Sequence, residues 1–393
     1  MSTALVRTKF SAVAVKIETV PGVDAIGGTP ALADWLGSEC EVQFNPDVID
    51  IPEYNGSLDR TASVVGGIKP TIRLRVPLRG SGAAGTAPEW GKLMRASTFT
   101  ETVTAAAVGA PTAAASGTTT TVTAAAPFVA TANVYRGMPL LVTGDQVFTT
   151  GIMDYTAARV ITLGETRTAL TVASLLQVPI NVLYSPTSDE STYKVATVYY
   201  YSDGVLWTFV GAIGSPTLEL TTGGIGFLSF EMRAQFGAKS ITALPATGVT
   251  GAIAAAEARV QPPRFVAGKL QLNKLAAGAK TVSITAGVNI VLPDDPEASE
   301  GYGAAVPVGR AVAGSIDPYI STTTTQTLFT SFRAGTPMSL MAIIGTTPGN
   351  RILAVVPKAK AIAMDMANRD GLSTHGIQFQ AEGADSPFYL ASF

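Results

Sequence analysis

His375 is the only histidine and Cys40 the only cysteine in this chain of 393 residues. The two side chains best suited to proton transfer and nucleophilic attack near neutral pH therefore occur once each. His375 falls in the last predicted strand with no serine or cysteine motif around it, and reads as a packed or surface strand residue. Cys40 has no basic neighbour in sequence to stabilise a thiolate, and reads as a structural thiol. A single cysteine excludes an intramolecular disulfide framework and a multi-cysteine zinc site, and a reducing cytoplasm is the easier home for it. Gly80-Ser81-Gly82-Ala83-Ala84-Gly85 has the glycine content of a phosphate loop but lacks its Gly-Lys-Ser/Thr ending. Glu89, in the turn that follows, would repel a phosphate, so the segment reads as a connector. Asp294, Asp295, Glu297 and Glu300 cluster as cation ligands do, yet their spacing does not match a calcium loop. A solvated loop, or one that meets basic residues of another copy, is the plainer reading. Tyr199, Tyr201, Trp207 and Phe209 could stack on bases, but no basic residues are interleaved with them, and sheet core or subunit interface explains them better. These readings point away from an enzyme and imply no cofactor and no metal.

Composition supports an assembly. Hydrophobic residues make up 47% of the chain and charged residues 14%, well under the usual quarter. A lone globule so poor in charge would expose large apolar areas, whereas obligate interfaces are apolar and charge-poor. The net charge is −2, and no run of Lys and Arg offers the several phosphate contacts that tight nucleic-acid binding needs. The apolar run from Phe10 to Val15 is interrupted by Ser11 and is too short for a secretory signal. No stretch is long enough for a membrane helix.

The elements that must carry these residues are mostly strands. Thr71-Ile72-Arg73-Leu74-Arg75-Val76 alternates, with Ile72, Leu74 and Val76 on one face. Residues 86–96 read as a short helix on which Trp90, Leu93 and Met94 form one apolar face packed on a sheet. Tyr199-Tyr200-Tyr201-Ser202-Asp203-Gly204-Val205-Leu206 is a hairpin signal, and Thr217–Leu220 and Phe227–Met232 extend it into a meander. In the second half, strand 288–292, a Pro/Gly/acidic loop 293–309, a helix near 325–335 and strands 339–344, 351–356, 359–367 and 374–382 repeat the plan. Strand, long loop, helix and meander thus occur twice.

The fold class is therefore mainly β, with two tandem β-sandwich or barrel domains, each with a short helix, plus a small inserted β-domain. The boundaries are an N-terminal arm at 1–40, a first domain at 41–101 and 193–243, an insert at 102–192, a linker at 244–263 and a second domain at 264–393.

The residues now reached resemble the tail tube, or major tail, protein family of long-tailed bacteriophages. The similarity lies in Lys16-Ile17-Glu18-Thr19 with Gly22 and Asp24, and in the run Arg79 to Ala96 that leads a glycine connector into Ala87-Pro88-Glu89-Trp90-Gly91. It continues in Tyr201 to Leu206 with Gly211-Ala212, in Phe332-Arg333-Ala334-Gly335-Thr336, and in Gly345-Thr346-Thr347-Pro348-Gly349-Asn350. Departures stand at Ser97-Thr98 and at Ile213, where relatives carry Cys-Gly and Arg.

The resemblance implies a structural subunit whose sheets join edge to edge around a lumen and stack as rings. With the domain present twice, three chains per ring and pseudo-sixfold symmetry follow, six chains being the alternative. DNA passes through the lumen without specific binding. Tape-measure, tail-terminator and baseplate proteins are the further partners, the site is the virion tail after synthesis in the host cytoplasm, and no membrane is involved. Asp50, Tyr54, Asp59 and Arg60 on the loop 45–70, and Asp294, Asp295 and Tyr302 on its counterpart, are candidates for contacts between rings. Glu219, Glu231, Asp365 and Glu382 are candidates for a lumen face, expected to be acidic and poor in Lys and Arg. A capsid decoration protein or another self-assembling β-rich virion component is the alternative function, and the insert could instead be a host-binding module.

Overall fold

Alternating apolar and polar residues in most segments dictate half-buried strands, and the strands pair into one 17-stranded sheet, a seven-stranded sheet and two separate two-stranded hairpins. The computed structural model describes residues 6–54, 56, 58–59, 62–322 and 324–393. The protein is mainly β, with 50% strand and 7% helix, and part of its sheet curves as a half-barrel.

In the first half, β1 (Ser11–Ile17), β2 (Glu39–Gln43), the hairpin β3 (Pro46–Asp50) and β4 (Ser63–Ile68), β5 (Thr71–Pro77) and α1 (Gly91–Arg95) come in turn. Then follow β6 (Phe99–Thr104), an excursion of seven strands between Val108 and Val178, and β7 (Asn181–Pro186). The half ends with β8 (Ala196–Ser202), β9 (Val205–Thr221) and β10 (Phe227–Ile241), and α2 (Ala252–Glu257) follows. The second half runs β11 (Lys269–Leu272), β12 (Ala279–Thr285), the hairpin β13 (Val288–Val291) and β14 (Val306–Arg310), β15 (Ala313–Pro318) and α3 (Thr324–Ala334). It closes with β16 (Met338–Ile344), β17 (Ile352–Arg369), β18 (Leu372–Ala381) and β19 (Tyr389–Ser392).

The two halves have the same strand order. In the first it is β1, β8, β9, β10, β5, β2; in the second it is β11, β16, β17, β18, β15, β12. Even an irregularity repeats. The β8–β9 ladder slips between Val198↔Phe209 and Ala196↔Ala212, and the β16–β17 ladder slips between Leu340↔Val356 and Met338↔Ala359. The halves are fused by β9 and β12, which pair antiparallel from Thr217↔Thr285 to Thr221↔Thr281. A second seam runs β6, β7, β19, β17.

One apolar core spans both halves and takes in Ile72, Leu74, Trp90, Leu93, Phe230, Leu340 and Phe379. The excursion has its own core around Val122, Leu140, Ile152 and Tyr155, and this core also buries Met341, Leu353 and Val355 of the second half. The excursion is thus inserted in the first half but packed against the second.

Several elements differ from the sequence reading. Helix α1 is shorter than residues 86–96, because the residues before it are held by side chains rather than by helical turns. Glu89 pairs with Arg79 at 2.7 Å and Arg259 at 2.8 Å, and the Trp90 indole N–H donates to the Arg79 carbonyl at 2.8 Å. Trp90, Leu93 and Met94 are buried as expected. The segments 205–210 and 217–220 are one strand of 17 residues, and 351–356 with 359–367 fall in one strand of 18 residues. Bulges at Val210/Ile213 and Ala361/Ala363 absorb the irregular sequence without ending the strand. The arm contributes β1 to the sheet, and the linker contains α2, whose Ala255 packs in a small cluster with Ile26, Trp35 and Tyr201.

Lys92 ties α1 to the arm, its Nζ donating to the carbonyls of Ala33 and Asp34, each at 2.8 Å. Burial pushes its pKa down from 10.5 to about 8, against the opposing pull of Asp34 and Glu89. The folded chain then holds fewer protons than the unfolded one between these two values, so this residue makes stability rise with pH across that window. Urea unfolding of the protein and of Lys92→Met at several pH values checks this. The midpoint of the wild type is expected to gain on that of the variant as pH rises from about 8 to 10.5, and a pH-independent difference would contradict it.

Candidate assembly surface

Strand alternation sorts β2, β5, β10 and β9 into an apolar and a polar face. Ile72, Leu74, Val76, Leu218, Leu228 and Phe230 enter the core. The opposite face carries Glu39, Glu41, Arg73, Arg75, Thr217, Glu219, Ser229, Glu231 and Arg233, which line one open trough. Charges on it are paired: Arg73 with Glu231 at 3.4 Å and Arg75 with Glu219 at 3.7 Å across strands, and Arg233 with Glu231 at 3.9 Å along β10. The Arg75 guanidinium also lies 3.8 Å from the Phe227 ring centre. Glu219 and Glu231 both line this trough, which carries Arg73, Arg75 and Arg233 as well and is ion-paired. The missed residues were legible in principle, since Arg73 and Arg75 fall on the opposite parity to Ile72 and Leu74. The polar face continues through the β9–β12 seam to Ser283 and Thr285. Asp365 lies on β17 opposite Gly376 of β18, and Glu382, just past β18, meets Lys360 at 3.6 Å.

The two long loops are ordered as hairpins, β3–β4 and β13–β14, and they touch. The Tyr302 hydroxyl donates to Asp47, and the Tyr302 ring holds Lys69 Nζ 4.2 Å from its centre. Lys69 pairs with Asp47 at 2.9 Å, and the amide of Ile68 donates to Glu300 at 3.0 Å. The Tyr302 hydrogen bond, then Lys69, holds the Asp47 carboxyl below its ordinary pKa. Tyr302 is thus engaged inside the chain, and Asp294 bridges to it through the backbone. Asp295 accepts from the Glu297 amide at 3.0 Å. Among the described residues no group of three or more His, Cys, Asp or Glu could hold a metal ion, and no helix is long and apolar enough to cross a membrane. At the tip of the first hairpin Tyr54 and Leu58 are fully exposed, and Asp50 and Asp59 are exposed too. Arg60 lies outside the described residues.

The lone chemical groups sit in the sheet. His375 is buried on β18 opposite Met366. Cys40 lies beside Leu74, and burial pushes its thiol up to about 12, away from thiolate reactivity. The motif residues of the arm serve packing: buried Glu18 accepts from the amides of Gly22 and Gly211, each at 2.7 Å, and from the Thr197 hydroxyl at 2.9 Å. Gly80 meets the other end of the family-like pattern, donating to Asn350 at 2.8 Å, where a Cβ would strike the Gly349 carbonyl at 2.0 Å.

The sheet keeps several open edges among the described residues, two of them at opposite ends of the run that the β9–β12 seam joins. β2 pairs only with β5, and β17 from Lys360 to Arg369 pairs only with β18. Ile362 and Met366 are exposed on that stretch. A duplicated, mainly β sheet with one polar face is the architecture of this chain. A family model described as phage tail tube protein matches residues 11–381, and the chain belongs to that family. It is a structural tail tube subunit, a component of the virion tail. No curated protein matches the sequence.

The Tyr302 contact makes a local prediction. Tyr302→Phe removes the donor to Asp47 but keeps the ring beneath Lys69, and is expected to loosen the contact between the two hairpins. Hydrogen exchange would show faster amide exchange in β13–β14 with β9 unchanged; equal protection in both proteins would contradict it.

Proposed function

We propose that three copies of the chain close into a ring with pseudo-sixfold symmetry, and that stacked rings form the conduit through which DNA leaves the virion. The observation that carries this is the duplicated strand order, which gives each chain two equivalent wall segments already joined by β9 and β12. A heterologous contact that repeats and closes makes a ring, and rings that stack make a tube. The wall segments are the first domain, 41–101 with 193–243, and the second, 264–393; the arm 1–40 and linker 244–263 brace them, and the insert 102–192 decorates the outside.

The polar face with Glu219, Glu231, Asp365 and Glu382 lines the lumen. Its arginines are already engaged by carboxylates, so DNA meets no track of free positive charge and slides without being held. The hairpin tips, with Asp50, Tyr54, Asp59 and Arg60 on one and Asp294 and Asp295 on the other, contact the next ring, and Tyr302 braces the hairpins where they meet. The tube surrounds a tape-measure protein and is capped by terminator and baseplate proteins. The role is structural rather than enzymatic, and the chain is made in the host cytoplasm before assembly.

Electron microscopy of the purified chain, with averaging of end-on views, tests this. Hollow rings with three outer lobes are expected. Six lobes would replace the trimer by a hexamer, and compact oligomers without a lumen would favour a decoration protein.

A further inference from the structure

The seam inside the chain is a template for the seam between chains. Residue equivalence follows from the ladders. Gln43 lies opposite Thr71, which lies opposite Arg233. In the second half Thr285 lies opposite Ala313, which lies opposite Gln380. Six residues back along their strands, the equivalents of Arg233 and Gln380 are Phe227 and Thr374. These face Glu219 and Ala367 respectively. Glu219 pairs with Ser283 across the internal seam, and Ser283 stands two residues before Thr285, as Glu41 stands two before Gln43.

We propose, resting on the tube reading above, that β2 of one copy pairs antiparallel with the C-terminal half of β17 of the next. The register is Gln43↔Asp365, Val42↔Met366, Glu41↔Ala367, Cys40↔Asn368 and Glu39↔Arg369. It reproduces between copies the pairs Thr217↔Thr285, Leu218↔Ile284, Glu219↔Ser283, Leu220↔Val282 and Thr221↔Thr281 within one copy.

The surfaces fit this pairing. Leu218, Leu220 and Ile284 are each 1% exposed because the internal seam covers them, whereas Met366, the counterpart of Leu218, is 77% exposed. Val42 and Cys40, the counterparts of Ile284 and Val282, are only half-buried at the rim of the same core. Adding the neighbouring strand covers Met366 with Val42 and closes that rim. On the polar face Glu39 adds a second carboxylate to Arg369, which already pairs with Asp317 in its own chain, and the Gln43 amide meets the Asp365 carboxylate, pairs of the kind that stabilise neighbouring strands. Both strands offer unused backbone donors and acceptors, which edge pairing satisfies.

The native cysteine supplies half of a test. Residues opposite each other in an antiparallel ladder have Cα atoms about 4.5–5.5 Å apart, inside the range that a disulfide spans. Assembled rings or tubes of Asn368→Cys, oxidised with copper-phenanthroline, are expected to shift on non-reducing gels from monomer to a ladder ending at the trimer, and to return to monomer with thiol. Ala367→Cys, on the opposite face to Cys40, is expected to stay monomeric. Gln43→Cys with Asp365→Cys in a Cys40→Ser background gives a second link that does not depend on the Cys40 thiol. Rings or tubes in which neither pair links, or in which Ala367→Cys links as well as Asn368→Cys, would overturn this pairing and leave the tube reading standing. A chain that stays monomeric at every concentration would overturn the tube reading and this register with it.

Discussion

The antiparallel seam between β9 and β12 fixes how everything else is placed. Leu218 and Leu220 on one strand and Val282 and Ile284 on the other fill the shared core, while Thr217, Glu219, Ser283 and Thr285 continue the polar face across the join. A one-residue slip would turn all of these side chains to the wrong side of the sheet, so the register is strongly specified. Because it is, the two halves cannot rotate against each other. Their hairpins then meet at Asp47 and Tyr302, and their remaining edges lie at the far sides of one continuous wall.

That wall separates two kinds of chemistry by strand parity alone. β5 places Ile72, Leu74 and Val76 in the core and Arg73 and Arg75 on the other face. Glu231 on β10 and Glu219 on β9 lie close enough to engage both arginines. Exposed pairs of this kind add little to stability. Their effect is on the field of the surface: a face rich in both signs has no strong net potential. In the proposed conduit such a face builds in neither attraction nor strong repulsion of phosphate.

Much of this was legible in the sequence, and the failures have physical causes. The duplication showed as strand, long loop, helix and meander repeated, because each segment kept its own period. The polar face of β5 was legible from Arg73 and Arg75, yet the balance of charge on it was not, since it depends on which strand lies beside β5. β9 and β17 read as pairs of shorter strands, because Gly211, Pro216 and the bulges break local strand signals that long-range pairing restores. Residues 86–90 read as helix from Pro88, Glu89 and Trp90, but Glu89 and Trp90 bind Arg79 and Arg259, which lie far off or in the preceding loop. The helix α2 was missed because it is short and gains its apolar partners Ile26 and Trp35 only in the fold, and β1 was missed because Ala12-Val13-Ala14-Val15 lacks a polar alternation.

The two seams of the proposed ring differ in strength, and the difference suits assembly. Inside the chain, four fully buried aliphatic side chains meet, and a polypeptide link keeps the partners together at all concentrations. Between chains, the equivalent positions hold Met366, Asn368, Val42 and Cys40, a smaller and more polar set. Exposed strand edges invite uncontrolled pairing, and a strongly apolar edge would pair with any copy in any register. An edge with one exposed methionine, a polar asparagine and charges at Glu39, Glu41 and Arg369 gains less from a slipped pairing, because a one-residue slip turns its polar side chains toward the core. Fusing two wall segments in one chain thus lets half of the seams be permanent and apolar. The remainder can be weak enough to form only when several join at once.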